Sequence, residues 1–337
     1  MSSIGVLGAG SWGTALAIHA ASAGFSVTLW ARDEDLATVM ARARRNEKYL
    51  PEAELPAEIR VTSDLEALAG LERVLVVVPS HGFRDVIQRL MELRAENRPL
   101  TIVSATKGIE TESLSRMSEV VADEAKKSGE AVAFAVLSGP TFAAELAVGQ
   151  PSAAVIASTD SALASDLSHS LSTDRFRVYS SNDVVGVELG GATKNVIAIG
   201  AGIVSGLGLG HNTLAALITR GLHETSRLGL ACGGNLRTLS GLAGLGDLVL
   251  TCTGGLSRNR RTGMALAAGK SLSEIQSETS MVAEGIRNSL SVTRLARRHE
   301  IEMPITEQMM AVLYENKSPT DAVQELMTRA LKSESAL

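Results

Sequence analysis

The chain has 337 residues, of which 45% are hydrophobic and 20% charged, and its formal net charge at pH 7 is −5. This composition is typical of a globular protein with a large core, and the length favours two domains over one. The negative charge argues against general affinity for nucleic acid, and two cysteines, Cys232 and Cys252, cannot build a disulfide framework, so we expect a reduced, cytoplasmic setting.

The first half of the chain, from residue 3 to about 180, alternates short β-rich runs with helical patterns such as residues 14–23 and 83–92. Continuously apolar runs, such as residues 74–78, are typical of strands buried on both faces of a parallel sheet. The alternation predicts a doubly wound α/β domain of the Rossmann type over residues 1–182. The predicted strands are SIGVLG, FSVTLW, RVLVVVPS, LTIVSATKG, AVAFAVLSGP, SAAVIAS and RFRVYSS.

The first strand leads directly into GAGSWG, which has the spacing G-x-G-x-x-G with Gly8, Gly10 and Gly13, and a helical run follows. Glycines allow a tight turn and a close approach to a pyrophosphate, while the start of the helix supplies amides and positive potential. The pattern alone is weak, but its place between a strand and a helix is the context that supports it. We therefore predict a dinucleotide site here.

The second strand ends at Trp30 and is followed by Arg32 and Asp33. An acid near this end is typical of NAD-selective sites, and an arginine of sites that accept the 2′-phosphate of NADP. We expect NADP to be accepted, while the adjacent acid keeps NAD open.

Two later strands end in polar segments, where ligands of open α/β sheets bind. Lys107 follows one of them in SATKG; a solvated loop lysine is an equally good interpretation of that residue by itself. SGPT follows the other, and we expect Pro140 in the first turn of a helix with amides available for an anion. His81, after VVVPS, is a second candidate acid or base, but its position is more typical of a residue that lines the cofactor loop.

After about residue 182 the pattern becomes helical, which predicts an all-α domain over residues 183–337. Within it, residues 189–209 read LGGATKNVIAIGAGIVSGLGL and contain one charged side chain, Lys194. An unpaired buried charge is costly, so this lysine should reach an anion, release its proton easily, or extend into water from a helix end. We expect a buried core helix and no membrane span, because the apolar run after Lys194 is too short for about 30 Å of hydrocarbon.

Two further polar segments in the second half are GLGD, which ends at Asp247, and SRNRR at residues 257–261. The arginines, hydroxyl and amide of SRNRR form either a site that binds an anion or the basic start of a helix. GMALAAGKS is similar to a phosphate loop but has five residues between its glycines where four are required, so we predict a helix ending at Gly269. Cys252 is more consistent with a buried thiol than with a nucleophile. The histidines show no metal-ligand spacing, and we predict no metal.

Several blocks resemble NAD(P)-dependent glycerol-3-phosphate dehydrogenase of the soluble bacterial type, in the same order from residue 4 to about 315. The resemblance implies interconversion of sn-glycerol 3-phosphate and dihydroxyacetone phosphate, which supplies phospholipid synthesis, by a Rossmann domain and a helical substrate domain. NAD(P)H is the implied cofactor and a small phosphorylated molecule the substrate; a homodimer is left open. The blocks are GAGSWGTALA, VVVPSHGF, ATKGIE, SGPTFAAELA, GVELGGATKNVIAIGAGI, GLAGLGDLVLTCTGGLSRNRR and VAEG.

When the family's functional residues are matched to this sequence position by position, the resemblance implies that Lys194 is the proton acceptor. The implied cofactor contacts, besides the glycines of GAGSWG, are Ser11, Trp12, Arg32, Tyr49, Lys107, Ala143, Arg258, Val282 and Glu284. The implied substrate contacts are Lys107, Gly139, Thr141, Lys194, Asp247, Ser257, Arg258 and Asn259.

The chemistry of alcohol oxidation agrees with a lysine at this position. Oxidation of a secondary alcohol transfers a hydride to the nicotinamide and a proton to a base. The ordinary lysine pKa of about 10.4 is too high for such a base, unless burial or a nearby cation such as Lys107 lowers it. In reverse, an ammonium polarises and protonates the ketone. The rival interpretations are a dehydrogenase for a hydroxy acid, hydroxyacyl thioester or sugar acid, and a non-catalytic NAD(P) sensor, which has no need of Lys194, Asp247 and SRN together.

Overall fold

The computed structural model describes residues 2–94, 98–278, 283–331, 333 and 334. The chain forms two compact units: Met1–Lys107 with Ser115–Val184, and Gly108–Leu114 with Val185–Leu337. The first is α/β and the second helical, so the predicted fold class is confirmed. The predicted domains were 1–182 and 183–337; in the structure the short segment 108–114 joins the second unit, because its apolar side chains Ile109 and Leu114 lie in that unit's core.

All the predicted strands of the first unit are present, and three short ones were not predicted. The unpredicted strands are β3, β4 and β5, which include few consecutive apolar residues. The strands are β1 (Ser3–Leu7), β2 (Ser26–Trp30), β3 (Arg45–Asn46), β4 (Leu50–Glu54), β5 (Ile59–Thr62), β6 (Arg73–Val76), β7 (Leu100–Ser104), β8 (Val132–Ser138), β9 (Ser152–Ala157) and β10 (Phe176–Ser181).

Eight strands form one sheet in the order β10-β9-β8-β7-β6-β1-β2-β5, and β3 pairs with β4 in a separate hairpin. From β5 through β8 every neighbouring pair is parallel, and β8 and β9 pair antiparallel. The parallel part has the strand order of a Rossmann sheet, in which the order reverses between β1 and β6. Ligands of such sheets bind at the carboxyl ends of the strands beside this point, where residues 8–13 follow β1.

Helices cover both faces of the sheet, as expected for a doubly wound fold. Apolar side chains of α1, α2, α6 and α7 pack on one face, and those of α3, α4 and α5 on the other. The helices of the first unit are α1 (Ser11–Ser22), α2 (Glu34–Ala43), α3 (Glu66–Ala69), α4 (Phe83–Glu92), α5 (Met117–Ser128), α6 (Ala143–Ala147) and α7 (Ser161–Leu171).

The described residues of the second unit are mostly helical. Its apolar core is built around α8, whose side chains from Leu189 to Ile203 are buried together with those of later helices. The helices are α8 (Val184–Gly206), α9 (His211–Ala231), α10 (Leu236–Leu239), α11 (Asp247–Thr253), α12 (Arg258–Ala267), α13 (Leu272–Ser277), α14 (Glu284–Arg298), α15 (Pro304–Tyr314) and α16 (Pro319–Met327). A π-helical turn, Leu242–Gly246, precedes α11.

Helix α8 differs from the sequence expectation in two respects. It has 23 residues, so by length and composition alone it is able to cross a membrane, contrary to our argument from the run after Lys194. Its apolar window is completely buried inside the protein, as predicted for a core helix. Lys194 lies in the middle of the helix and not at an end, because the helix begins ten residues earlier, at Val184.

The segment GMALAAGKS forms the end of α12, as predicted. The helix stops at Ala267, and Gly269 follows with φ +88°, a conformation that favours glycine after a helix. No phosphate loop is formed by these residues.

Candidate active site

The turn GAGSWG begins the candidate dinucleotide site of the first unit. Gly8 has φ +113°, and a Cβ on Gly13 would come within 1.8 Å of the Gly8 carbonyl oxygen, so the turn packs against its own helix. A Cβ on Gly10, in contrast, would meet no atom within 4 Å. Gly10 precedes α1, and no side chain caps that helix. This open space beside a helix N-terminus fits the pyrophosphate of a dinucleotide.

Trp12 and Lys107, two predicted cofactor contacts, lie side by side in the first unit. The Lys107 Nζ is 5.9 Å from the centre of the Trp12 indole ring, within range of a cation–π interaction. The buried Nε1–H of Trp12 has no hydrogen-bond acceptor among the described residues. A buried donor of this kind is rare and indicates a place where a ligand oxygen or nitrogen is accommodated.

Gly139 and Thr141, two predicted substrate contacts, join the same group. Lys107 Nζ donates to the Gly139 carbonyl oxygen at 3.1 Å, and the Thr141 hydroxyl donates to the same oxygen at 3.2 Å. Pro140 does not lie in the first turn of a helix, contrary to our expectation, because α6 begins three residues later at Ala143. Ala143, a predicted cofactor contact, packs on the apolar core of the unit.

Arg32 and Asp33 follow β2, and both side chains are exposed. Asp33 is the N-cap of α2, where its Oδ1 accepts a hydrogen bond from the Leu36 backbone N–H at 3.1 Å. The acid that the sequence left open as a ribose partner therefore has a helix-capping role of its own.

Asn46, which the sequence analysis missed, connects the GAGSWG turn to the β3–β4 hairpin. Its Nδ2 donates to the Ala9 carbonyl oxygen at 2.9 Å and to the Thr14 Oγ1 at 2.8 Å. Its Oδ1 accepts from the backbone N–H of Tyr49, a half-buried predicted cofactor contact in the hairpin turn, at 3.2 Å. No local pattern identifies an asparagine whose acceptors, here Ala9 and Thr14, lie more than thirty residues away in the sequence.

Lys194, Asp247 and Thr251 form the candidate acid–base group of the second unit. The Lys194 Nζ donates to the Asp247 Oδ1 and, at 2.9 Å, to the Thr251 Oγ1. Thr251 in turn donates to the Asp247 backbone carbonyl at 2.6 Å. Lys194 is 7% exposed and Asp247 0%. The buried ammonium of Lys194 therefore reaches a buried anion, as one of the sequence-based alternatives predicted. The sequence analysis named Lys194 and Asp247 but missed Thr251, which follows Asp247 by one helical turn.

Cys252 and His81 are the two other candidate reactive groups, and neither is a buried amine like that of Lys194. Cys252 is fully buried, and burial raises the pKa of its thiol to about 12, which confirms a buried thiol instead of a nucleophile. His81 is the exposed middle residue of a 3₁₀ turn, Ser80–Gly82, in the first unit.

Ser257 and Arg258 begin α12, so SRNRR forms a helix start. Ser257 is the N-cap, and its hydroxyl accepts from the Arg260 backbone N–H at 3.2 Å. Arg258 is exposed as a whole residue, while protein atoms surround much of its guanidinium. Burial lowers the pKa of this guanidinium, and the nearby carboxylate of Glu284 opposes that shift. Two predicted cofactor contacts, Arg258 and Glu284, are thus electrostatic neighbours.

Asn259 is held by hydrogen bonds on both sides of its amide. Its Nδ2 donates to the Asn195 Oδ1 at 2.8 Å, and its Oδ1 accepts from the Gly285 backbone N–H at 3.0 Å. The second bond caps the first turn of α14, for which Ala283 supplies no side-chain cap. Val282, another predicted cofactor contact, lies outside the described residues.

The predicted site residues therefore form separate groups. Within the first unit, Trp12, Lys107, Gly139 and Thr141 lie together, and Arg32 is exposed after β2. Within the second unit, Lys194 contacts Asp247, and the start of α12 contacts the start of α14. Ser11 is the first residue of α1, directly after Gly10.

Comparison with known proteins agrees with these features. The family model described as NAD-dependent glycerol-3-phosphate dehydrogenase N-terminus matches residues 3–164, and the corresponding C-terminus model matches residues 183–324. A glycerol-3-phosphate dehydrogenase [NAD(P)+] of Koribacter versatilis is 50% identical over 337 residues, covering 99% of each chain. One from Salinibacter ruber is 51% identical, covering 98% of this chain and 96% of that protein.

The fold comparison gives the same result. The crystal structure of glycerol-3-phosphate dehydrogenase from Coxiella burnetii has a TM-score of 0.93 and 45% sequence identity, covering 97% of this chain and 99% of that one. Both halves of the sequence match the family in order. The chain therefore belongs to the NAD-dependent glycerol-3-phosphate dehydrogenase family, whose cofactor is NAD(P).

Proposed function

We propose that this protein interconverts sn-glycerol 3-phosphate and dihydroxyacetone phosphate with NAD(P), and that Lys194 is its general acid and base. The observation that carries the proposal is the buried Lys194 amine, which donates to the Asp247 carboxylate and the Thr251 hydroxyl. Support for the substrate comes from the names of relatives about 50% identical over nearly the whole chain.

In the direction of ketone reduction, a proton moves from the Lys194 Nζ to the carbonyl oxygen at C2, and the carbonyl carbon accepts a hydride. The C=O double bond thereby becomes a C–O single bond that carries a hydroxyl hydrogen. NAD(P)H, when bound, supplies the hydride that forms the C–H bond. Asp247 holds the ammonium in place and balances its charge inside the core. In the reverse direction the neutral amine accepts the hydroxyl proton.

For the phosphate of the substrate we propose Ser257 and Arg258. The Ser257 oxygen accepts from the Arg260 N–H, which leaves its own O–H as a donor, and a guanidinium pairs well with phosphate oxygens. Asn259, Asp247 and Lys194 would then hold the remainder of the substrate. We propose Lys107, Gly139 and Thr141 as the substrate contacts of the first unit.

The proposed cofactor contacts remain those that the resemblance implies. Gly8, Gly10 and Gly13 would hold the pyrophosphate, supported by the open space at Gly10. Arg32 would bind the 2′-phosphate of NADP. The other proposed contacts are Ser11, Trp12, Tyr49, Lys107, Ala143, Arg258, Val282 and Glu284.

We also propose that residues 1–182 bind the cofactor and that residues 183–337 bind the substrate and carry the catalytic residue. We further propose a cytoplasmic location and a role in supplying glycerol 3-phosphate for phospholipid synthesis. The location is supported by the two cysteines, Cys232 and Cys252, which are not joined by a disulfide. A homodimer is supported by large apolar side chains exposed on the second unit, such as Leu236 and Leu256. Light scattering coupled to size-exclusion chromatography tests the dimer.

The activity is tested with purified protein by following the loss of NADPH and NADH absorbance with dihydroxyacetone phosphate. We expect turnover with this substrate and none with 2-keto acids or acyl thioesters. Turnover of a keto acid alone would favour the hydroxy-acid rival, and tight cofactor binding without any turnover would favour a sensor.

A further inference from the structure

We propose that Asn46 is a positioning residue for the cofactor, which sets the orientation of the Ala9–Gly10 peptide in the GAGSWG turn. Asn46 is 0% exposed and belongs to the β3–β4 hairpin, far from the turn in sequence. This inference rests on the proposed role of the turn in binding NAD(P).

The planar peptide bond fixes the direction of the Gly10 N–H relative to Asn46. In a planar trans peptide the C=O and N–H groups point in opposite directions. Asn46 Nδ2 donates to the Ala9 carbonyl oxygen at 2.9 Å, so the Gly10 N–H points away from Asn46. That N–H has no hydrogen-bond acceptor among the described residues, and a Cβ on Gly10 would meet only open space. The turn thus presents a fixed amide donor to an anion.

The other hydrogen bonds of Asn46 make this arrangement rigid. The same Nδ2 group donates to Thr14 Oγ1 at 2.8 Å, inside the first turns of α1, and Oδ1 accepts from the Tyr49 N–H at 3.2 Å. One side chain therefore joins the turn, the helix that follows it and the hairpin turn. Because the bonds to Ala9 and Thr14 are buried, loss of the amide leaves these two acceptors without the donor that Asn46 supplies. The Ala9–Gly10 peptide is then able to rotate, and the amide is no longer preorganised for the pyrophosphate.

The pyrophosphate is common to both cofactors, so Asn46 should affect NADPH and NADH equally. In Asn46→Ala we expect the Kd of each, measured by fluorescence titration without substrate, to rise roughly tenfold, the effect of one lost buried hydrogen bond. The KM for dihydroxyacetone phosphate should change by less than about twofold. Asn46→Asp retains the acceptor for Tyr49 but cannot donate to the Ala9 carbonyl, so its Kd values should rise at least as much.

The matched control is Ser158→Ala, which removes the hydrogen bonds of another buried side chain of the first unit: the Ser158 hydroxyl donates to the Phe134 carbonyl at 2.7 Å and accepts from the Asp160 N–H at 3.2 Å. This variant should lose thermal stability and keep both Kd values. Unchanged Kd values in the Asn46 variants, the same loss of affinity in Ser158→Ala, or a loss confined to NADPH would overturn the inference. If wild-type protein binds NADPH but does not reduce dihydroxyacetone phosphate, the proposed substrate fails and the binding test of Asn46 still stands.

Discussion

Lys194 and Asp247 form an ion pair inside the second unit, with Lys194 7% exposed and Asp247 0%. Two such charges are tolerated in a core only because each compensates the other, and removing one partner of a buried pair costs about 3–5 kcal/mol. The pair also places the amine between a carboxylate and the Thr251 hydroxyl, which fixes its direction. A lysine used for proton transfer needs both a defined position and a compensating charge.

Replacing Lys194 with arginine separates charge from proton transfer. Arginine retains the cation but does not deprotonate in proteins, so Lys194→Arg should lower kcat by roughly 10²–10⁴-fold, the usual value of general acid–base catalysis. Cofactor affinity, measured by fluorescence titration, should change little. Lys194→Met controls for the larger guanidinium and should be at least as inactive. Near wild-type turnover by Lys194→Arg would make His81 the leading candidate acid–base group.

Arg32 should discriminate between the two cofactors. It is exposed directly after β2, where a cation meets the 2′-phosphate of NADP, so Arg32→Ala should raise the KM for NADPH much more than that for NADH. Arg73→Ala is a matched control in the same unit, because Arg73 lies at the start of β6, at the opposite end of that strand from its carboxyl end, pairs with Asp166 at 2.9 Å and should affect neither cofactor. Equal effects of Arg32→Ala on both cofactors would exclude a phosphate-specific role.

Arg258 should contribute strongly to the use of a phosphorylated substrate. Charge-assisted hydrogen bonds to phosphate are among the strongest, so Arg258→Ala should reduce kcat/KM for dihydroxyacetone phosphate by roughly 100-fold or more, which corresponds to about 3 kcal/mol. Arg261→Ala removes an exposed arginine of the same helix and serves as the control. If kcat/KM is unchanged with both cofactors, Arg258 is only a surface residue.

Glu224 should make stability depend on pH. Burial raises the pKa of this carboxyl from 4.5 to about 7. Hydrogen bonds from Ile305 and Thr306 at the start of α15 act in the opposite direction and lower the pKa, but burial has the larger effect. The native state therefore holds the proton more tightly than the unfolded state, and the unfolding free energy contributed by this group rises as pH falls from 7 towards 4.5. Above pH 7 the carboxylate is charged in both states and the cost of burying it is complete.

The measurement is urea unfolding of wild type and Glu224→Gln at pH 7.5 and pH 5.5. Relative to the variant, which cannot ionise at this position, wild type should gain roughly 1–2 kcal/mol on acidification. Parallel pH dependence in the two proteins would show that Glu224 titrates at its ordinary value.

Much of the architecture follows from local patterns in the sequence. Apolar runs such as residues 74–78 predicted buried parallel strands, because a strand covered on both faces has no polar side to alternate. Glycine spacing after β1 predicted the dinucleotide turn, because that turn is a property of consecutive residues. The edge strand β5 was missed, since four residues at a sheet edge leave too weak a pattern.

By itself, then, the sequence determined the α/β and helical halves, the turn at residues 8–13, and Lys194 as an unusual buried charge. Only the tertiary structure decided which groups meet these residues. Lys194 and its partner Asp247 are separated by 53 positions, and Asn46 and Ala9 by 37. Such pairs carry no periodic signal, because hydrogen bonds between distant segments depend on where folding brings two side chains, and the composition of either segment alone does not specify that.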